Sequence, residues 1–298
     1  MDDQDHAIRA LSRALVAEHM ASGRCDPSTA QSAVEVREFV SARCRARGVS
    51  TGTATLPAGA ELPCHLHAFS EAITVLEAEV DVYVEGRRYR LSRLDCIHLP
   101  AGAAHRVVNT SAHARAVVHW AFASAEPALE LVDQKFPVLD RNGANPRPED
   151  PEYIVRFSAA EIYPLADGTR FCDLFAGRFG SVGICGGYGE FEPGAALPCH
   201  VHRYDESITI VSGEAVCQVA GRQYTLAGCD TAFVPEGRPH RFLNRSGNLM
   251  SMIWVYAGSE PERTLMPAGY CDGSLPWPGD RSAELKSAGR QAEFRKNT

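Results

Sequence analysis

Eight residues in two sets of four carry the chemistry this sequence can do. They are His65, His67, Glu71 and His105, then His200, His202, Glu206 and His240. Side chains alternate faces along a β-strand, so each His-x-His pair sends both imidazoles to one side. Glu71 and Glu206 return to that side after a tight turn if the pairing stays regular. His105 and His240 arrive on a separate strand, behind the turns at Pro100-Gly102 and Pro235-Gly237. Nitrogen and carboxylate ligands of this kind suit a divalent transition metal at each site, with Fe or Mn expected and Ni, Co, Cu or Zn compatible. Four protein ligands leave one or two positions open on a five- or six-coordinate ion, and an open position separates a reactive metal site from a structural one.

The two sets belong to a duplication. Residues 59–109 and 194–244 align at a constant offset of 135 without a gap, and 22 of the 51 pairs are identical. The similarity continues, one residue out of step, into HWAFASAEP (119–127) and IWVYAGSEP (253–261). A repeat this long is a duplicated domain, because solenoid repeats run at roughly 20–50 residues. ITVL and ITIV are short β-branched runs, and VDVYVEGRRYRL and VCQVAGRQYTL break at Gly-centred turns as hairpins do. Many short strands between turn signals predict a sandwich or barrel. The Pro-, Asn- and charge-rich stretch 136–154 reads as an exposed linker, which puts the domain boundary near residue 145.

The ends differ from this pattern. Residues 1–47 read as a helical segment: Ile8, Leu11, Leu15 and Met20 fall on one helical face, Gly23 can end the helix, and Asp26-Pro27 resembles a second helix start. Residues 34–45 fit either helix or strand. The expected units are therefore a helical segment over 1–47, barrels over 48–145 and 146–275, and a polar tail over 276–298.

The neighbours of the ligands are read by parity. Cys64 and Cys199 precede the first histidine of each set and should point outward into packing. Arg106 and Arg241 follow the last histidine and should form outward ion pairs, and His98, opposite Phe233 in the other copy, is not expected to be a ligand. Glu71 and Glu206 are the acid–base candidates, and Phe242, Ile208 and Ile210 the candidate substrate contacts. Both cavities are expected to be apolar, with few proton-moving groups beyond the metal and these glutamates.

These motifs resemble those of the cupin superfamily, specifically its bicupins. The pattern G-x5-H-x-H-x3/4-E-x6-G is met by Gly194, His200, His202, Glu206 and Gly213, and by Gly59, His65, His67 and Glu71 with Ala78 in the last place. The second pattern, G-x5–7-P-x-G-x2-H-x3-N, is met by Gly228, Pro235, Gly237, His240 and Asn244. The first copy meets it with Pro100, Gly102, His105 and Asn109, but Arg93 replaces the opening glycine. The resemblance covers roughly 48–135 and 170–265. It implies a mainly β fold of two tandem cupin barrels (double-stranded β-helix, jelly-roll), both holding metal. Similar three-His, one-Glu cupins include dioxygenases, so the resemblance implies first a dioxygenase acting on a small enolic, keto or aromatic substrate, with O₂ as co-substrate. Its alternative is a non-redox isomerase, lyase or decarboxylase acting on hydroxy or keto acids or sugars. A non-enzymatic binding protein comes third, because storage cupins have generally lost their ligands. Oxalate decarboxylases are similar in having two four-ligand sites, although their lid is not recognisable here.

Composition narrows the partners. The 37 acidic against 30 basic residues give a net charge of −7, which argues against nucleic acid or an anionic membrane as a general partner. The acidic start MDDQDHAIRA is unlike a secretory signal, and no apolar run is long enough for a membrane helix. A cytoplasmic location is expected, and with it ten cysteines acting as free, mostly buried thiols. The two barrels should pack about a pseudo-twofold like a fused dimer, and a homo-oligomer is compatible with that.

Overall fold

The computed structural model describes residues 8–9, 34–141 and 144–278. Each barrel is two sheets folded face to face, antiparallel throughout except where Leu139–Asp140 runs parallel to Arg87–Leu91. In the first barrel, one sheet runs in the order Tyr153–Val155, Cys96–Leu99, Glu71–Glu77, Ala116–Phe122, Ser50–Leu56 and Glu35–Val40. Its partner sheet runs Glu130–Leu131, Glu61–Leu66, His105–Val108, Val80–Val84, Arg87–Leu91 and Leu139–Asp140. The second barrel repeats the plan. Ile8–Arg9, Thr231–Val234, Glu206–Ser212, Met250–Tyr256, Cys185–Phe191 and Thr169–Phe175 form one sheet. Arg222–Ala227, Glu214–Val219, His240–Leu243, His200–Val201 and Thr264–Leu265 form the other.

Alternation explains the cores. Ile73, Val75, Val82, Val84, Leu91 and Val107 fill the first barrel, and Ile208, Ile210, Cys217, Val219, Leu226 and Phe242 fill the second. A third core lies between the barrels, where the opposite faces of the two long-stranded sheets meet: Val40, Ala72, Cys96 and Ala121 pack with Leu174, Phe175, Phe233 and Ile253. Pseudo-twofold contacts hold this seam. The Arg47 amide donates to Asp205 and the Val182 amide to Ser70, and both pairs of positions differ by the repeat offset of 135.

The hairpin turns are built as their sequences require. Glu85-Gly86 and Ala220-Gly221 all have positive φ, the two-residue turn that matches strand twist. The two motif departures differ in kind. Ala78 takes the left-handed conformation of its counterpart Gly213 (φ 63° against 75°), a modest strain for a residue with a Cβ. Arg93 carries no such cost, because the positive φ falls on the next residue, Leu94 or Cys229, in both barrels.

Three expectations are corrected. The helical reading of 1–47 does not extend through its described end: over 34–45, where the sequence fits either helix or strand, Glu35–Val40 is a strand of the first barrel, followed by the 3-10 turn Ala42–Cys44. Ile8–Arg9 pairs as strand with Thr231 and Ala232 of the second barrel, while Leu11, Leu15, Met20, Gly23 and Asp26-Pro27 lie outside the described residues. The stretch 136–154 is not a free linker. Leu139–Asp140 pairs with Arg87 and Arg88, and Tyr153–Val155 pairs with Cys96–His98, so the segment lies along the first barrel before the second begins. Third, Cys199 is not a free thiol: it forms a disulfide with Cys271. Seven other cysteines among the described residues are free. No helix among the described residues is long and apolar enough to cross a membrane.

Candidate metal centres and the cavity of the second barrel

In each barrel the ligands come from three strand ends. His65 closes on His105 as a cross-strand pair, and His200 on His240. Glu71 and Glu206 each open the long strand that follows the His-x-His turn. The donor atoms of His65, His67, Glu71 and His105 lie within 4.8 Å of one another, as do those of His200, His202, Glu206 and His240, and all eight residues are buried.

The imidazoles are oriented by the backbone. Nδ1 of His65, His67 and His105 meets the carbonyls of Pro63, Ala128 and Ala103 at 2.7, 2.5 and 2.9 Å. In the second barrel His200, His202 and His240 meet the carbonyls of Pro198, Glu262 and Arg238 at 2.8, 2.5 and 2.9 Å. A carbonyl can only accept, so Nδ1 carries the proton and the Nε2 lone pair faces inward, the usual support of a metal-bound histidine. The inward atoms are then orphaned. Nε2 of His67, His105, His202 and His240 and Oε2 of Glu71 and Glu206 are buried without a hydrogen-bond partner. Six unsatisfied acceptors would be costly to keep unless a cation serves them, so the residues fit a divalent ion in both barrels.

Burial alone would raise the carboxyls of Glu71 and Glu206, but positive charge on the imidazoles beside them outweighs it and holds both well below the usual range, so each carboxylate is placed to face a cation. Glu71 lies 2.8 Å from His105 Nε2 and Glu206 lies 2.7 Å from His240 Nε2. Burial pushes His65 down to about 4 and His200 well below its ordinary value, so both imidazoles stay neutral, as ligands must.

The outward residues behave as parity requires. Arg106 pairs with Glu61 at 3.0 Å and covers the Tyr83 ring, and Arg241 reaches Gln218 and Asp272. His98 is buried at the seam and belongs to neither ligand group. The motif asparagines are structural: the Asn109 and Asn244 amides donate to backbone carbonyls of the adjoining turns, three and two respectively.

A cavity of about 570 Å³ opens onto the second centre, with His200, Glu206 and His240 in its wall. Phe242 is in that wall, but Ile208 and Ile210 are not: they are fully buried in the core. Nor is the wall apolar. It includes Tyr163, Asp173, Arg178 and Arg263, none of them singled out by the sequence reading. Arg178 pairs with Asp173 at 2.5 Å, and the Tyr163 hydroxyl donates to the same carboxylate. Burial and the Asp173 charge raise the Tyr163 hydroxyl, which therefore stays a donor. Arg263 forms no ion pair among the described residues, and it follows directly on Glu262, whose carbonyl holds His202.

A signal for the pair did exist. Asp173 and Arg178 stand 135 residues after Glu38 and Arg43, so the repeat continues upstream of residue 59, through Gly48/Gly183 and Gly52/Gly187, after most identities have lapsed. Glu38 and Arg43 make the same contact at 3.7 Å.

The cupin-domain family model matches residues 52–122 and 187–256, one match for each ligand set. The chain belongs to the cupin superfamily, as a bicupin. Solved bicupins share the architecture. Oxalate decarboxylase from Bacillus subtilis at pH 4.6 superimposes with a TM-score of 0.64 at 16% identity, covering 84% of this chain and 80% of that one. The formate complex of the Lactobacillus farciminis enzyme gives 0.64 at 15%, covering 78% and 84%. A further structure, of the Bacillus subtilis enzyme studied for its Mn(II) centres, gives 0.64 at 16%, covering 84% and 81%. At this identity the likeness establishes the fold. No curated protein sequence matches the chain.

Proposed function

We propose that the second barrel of this bicupin is the active site of a metal-dependent, non-redox enzyme acting on a hydroxy or keto acid, in the lyase, decarboxylase or isomerase class. The observation that carries this reading is Arg263. It is an unpaired cation in the cavity wall beside the metal ligands, and at the matching place in the first barrel stands Leu129. An unpaired guanidinium next to a metal site matches a carboxylate, which it can hold through two parallel hydrogen bonds. The likeness to oxalate decarboxylases supports an acid substrate. Mn or Fe at His200, His202, Glu206 and His240 would supply Lewis-acid polarisation of the substrate oxygens. The chain's own part is to aim the three imidazoles inward through their backbone carbonyl partners, keep Glu206 ionised, and fix the carboxylate against Arg263. The first barrel, with Leu129 in place of the cation, is read as a metal site that supports the fold.

A dioxygenase is the second reading, favoured by the aromatic part of the wall, Phe171, Phe242 and Trp254, which would shelter reactive intermediates. Anaerobic assays of the manganese-loaded protein on a panel of 2-hydroxy and 2-keto acids separate the two. Turnover without O₂, with KM raised about tenfold or more in Arg263→Leu and metal content unchanged, is the expected result. Turnover that requires O₂ consumption would select the dioxygenase instead.

A further inference from the structure

The second cavity is far larger than a two-carbon acid needs. The inward face of the sheet behind it is laid out in rows. Glu206 stands opposite Tyr256, and the next inward row runs Ile208, Trp254, Gly187 and Asp173 over four strands. Three strand spacings put the Asp173 backbone roughly 14 Å from the strand that carries Glu206. The volume of about 570 Å³ also falls in the range that encloses drug-sized ligands.

What lies between the two ends is aromatic. Phe171, Trp254 and Phe242 share the wall with Met252. Glycines allow the rings to lie on the sheet: a Cβ at Gly187 would stand 2.7 Å from the Trp254 ring, and one at Gly189 2.5 Å from the Phe171 ring. Trp254 is 4% exposed, so its ring is held in place by the surrounding packing. At the far end Asp173, 5% exposed, is held by Arg178 and Tyr163, which leaves a fixed acceptor and donor side by side. The first barrel has smaller side chains at the corresponding wall positions, Val36 for Phe171 and Val107 for Phe242.

We infer that the substrate is an elongated aryl hydroxy or keto acid bearing a distal hydroxyl. Its acid head lies at the second metal centre and Arg263, its ring over Trp254 between Phe171 and Phe242, and its hydroxyl at Asp173 and Arg178. This rests on the reading of the second barrel as a carboxylate site. The distal hydroxyl donates to Asp173 and accepts from Arg178.

Calorimetric titration of the zinc-loaded protein with lactate, phenyllactate and 4-hydroxyphenyllactate tests it. Phenyllactate should bind about tenfold or more tighter than lactate, from burial of the ring. The hydroxyl should add roughly a further fivefold. Arg178→Gln, at a side chain 46% exposed, should remove only that last gain. Lactate binding as tightly as the aryl acids, or a hydroxyl without effect, would overturn the inference while leaving a carboxylate site in place. If none of the three acids binds the zinc-loaded protein more tightly than the apoprotein, the carboxylate site itself is refuted.

Discussion

At the scale of single residues, the ligand sets are the part of the molecule most directly written in the sequence. Their spacing fixes parity, parity fixes which side chains face inward, and the structure adds the carbonyls that set each imidazole. The residues around them were less legible. Ile208 and Ile210 share parity with Glu206, yet parity places a side chain inside a barrel without saying whether it meets the cavity or the packed core. Arg263 escaped notice because the visible repeat ends at residue 261, two positions before it. The motif asparagines show how a family residue can be structural. Asn244 is 1% exposed, and its amide holds the carbonyls of Phe191 and Asn248. Asn244→Ala should therefore cost roughly 1–3 kcal/mol in urea unfolding while the metal content stays at two equivalents per chain. Loss of the second metal with unchanged stability would assign Asn244 to the site instead.

At the scale of elements, the strap from Pro261 to Cys271 matters most. Glu262 orients His202, Thr264–Leu265 pairs with the strand carrying His200, and Cys271 is bonded to Cys199, the residue before that ligand. The strap is thus tied at both ends of its contact with the second metal centre. Its first-barrel counterpart lacks the covalent tie: Glu130–Leu131 pairs with His65 and Leu66 in the same way, but Cys64 is free. The disulfide was not legible, because pairing across 72 residues follows from the fold and not from cysteine spacing. Removing it by Cys271→Ser should lower stability by about 2–5 kcal/mol. The same change should weaken metal binding at the second centre more than at the first. Competitive chelation with a metal indicator would show this, and equal weakening of the two centres would contradict it. The upstream strands were hidden for a different reason. Between 36–58 and 171–193 the two copies keep buried apolar character but exchange the residues that provide it, so the pattern survives where identity does not.

At the scale of the whole molecule, two barrels share one seam, and the strand before each repeat unit joins the other barrel's sheet: Ile8–Arg9 the second, Tyr153–Val155 the first. The seam is mainly apolar but contains His119, 1% exposed, with the Thr209 hydroxyl 3.5 Å from its Nε2. Burial lowers this histidine from 6.5 to about 3, so it stays neutral in the folded protein while the unfolded chain protonates it. The unfolded state then binds the extra proton as pH falls below about 6.5, and stability declines by roughly 1.4 kcal/mol per pH unit for this one group until the folded imidazole titrates. His119→Leu, which brings in an apolar side chain as Ile253 does at the matching position, should flatten the decline between pH 6 and pH 4 in urea unfolding. Equal slopes in the two proteins would place the acid sensitivity elsewhere.

The central claim is that this bicupin holds a metal in each barrel and binds a carboxylate at the second. The most direct measurement is the visible absorption of the cobalt-loaded protein during titration with phenyllactate. Two cobalt equivalents and an acid-dependent spectral change are predicted, with the change retained in His67→Ala and abolished in His202→Ala. A change that survives His202→Ala, or two bound cobalt ions that do not respond to the acid, would contradict the account.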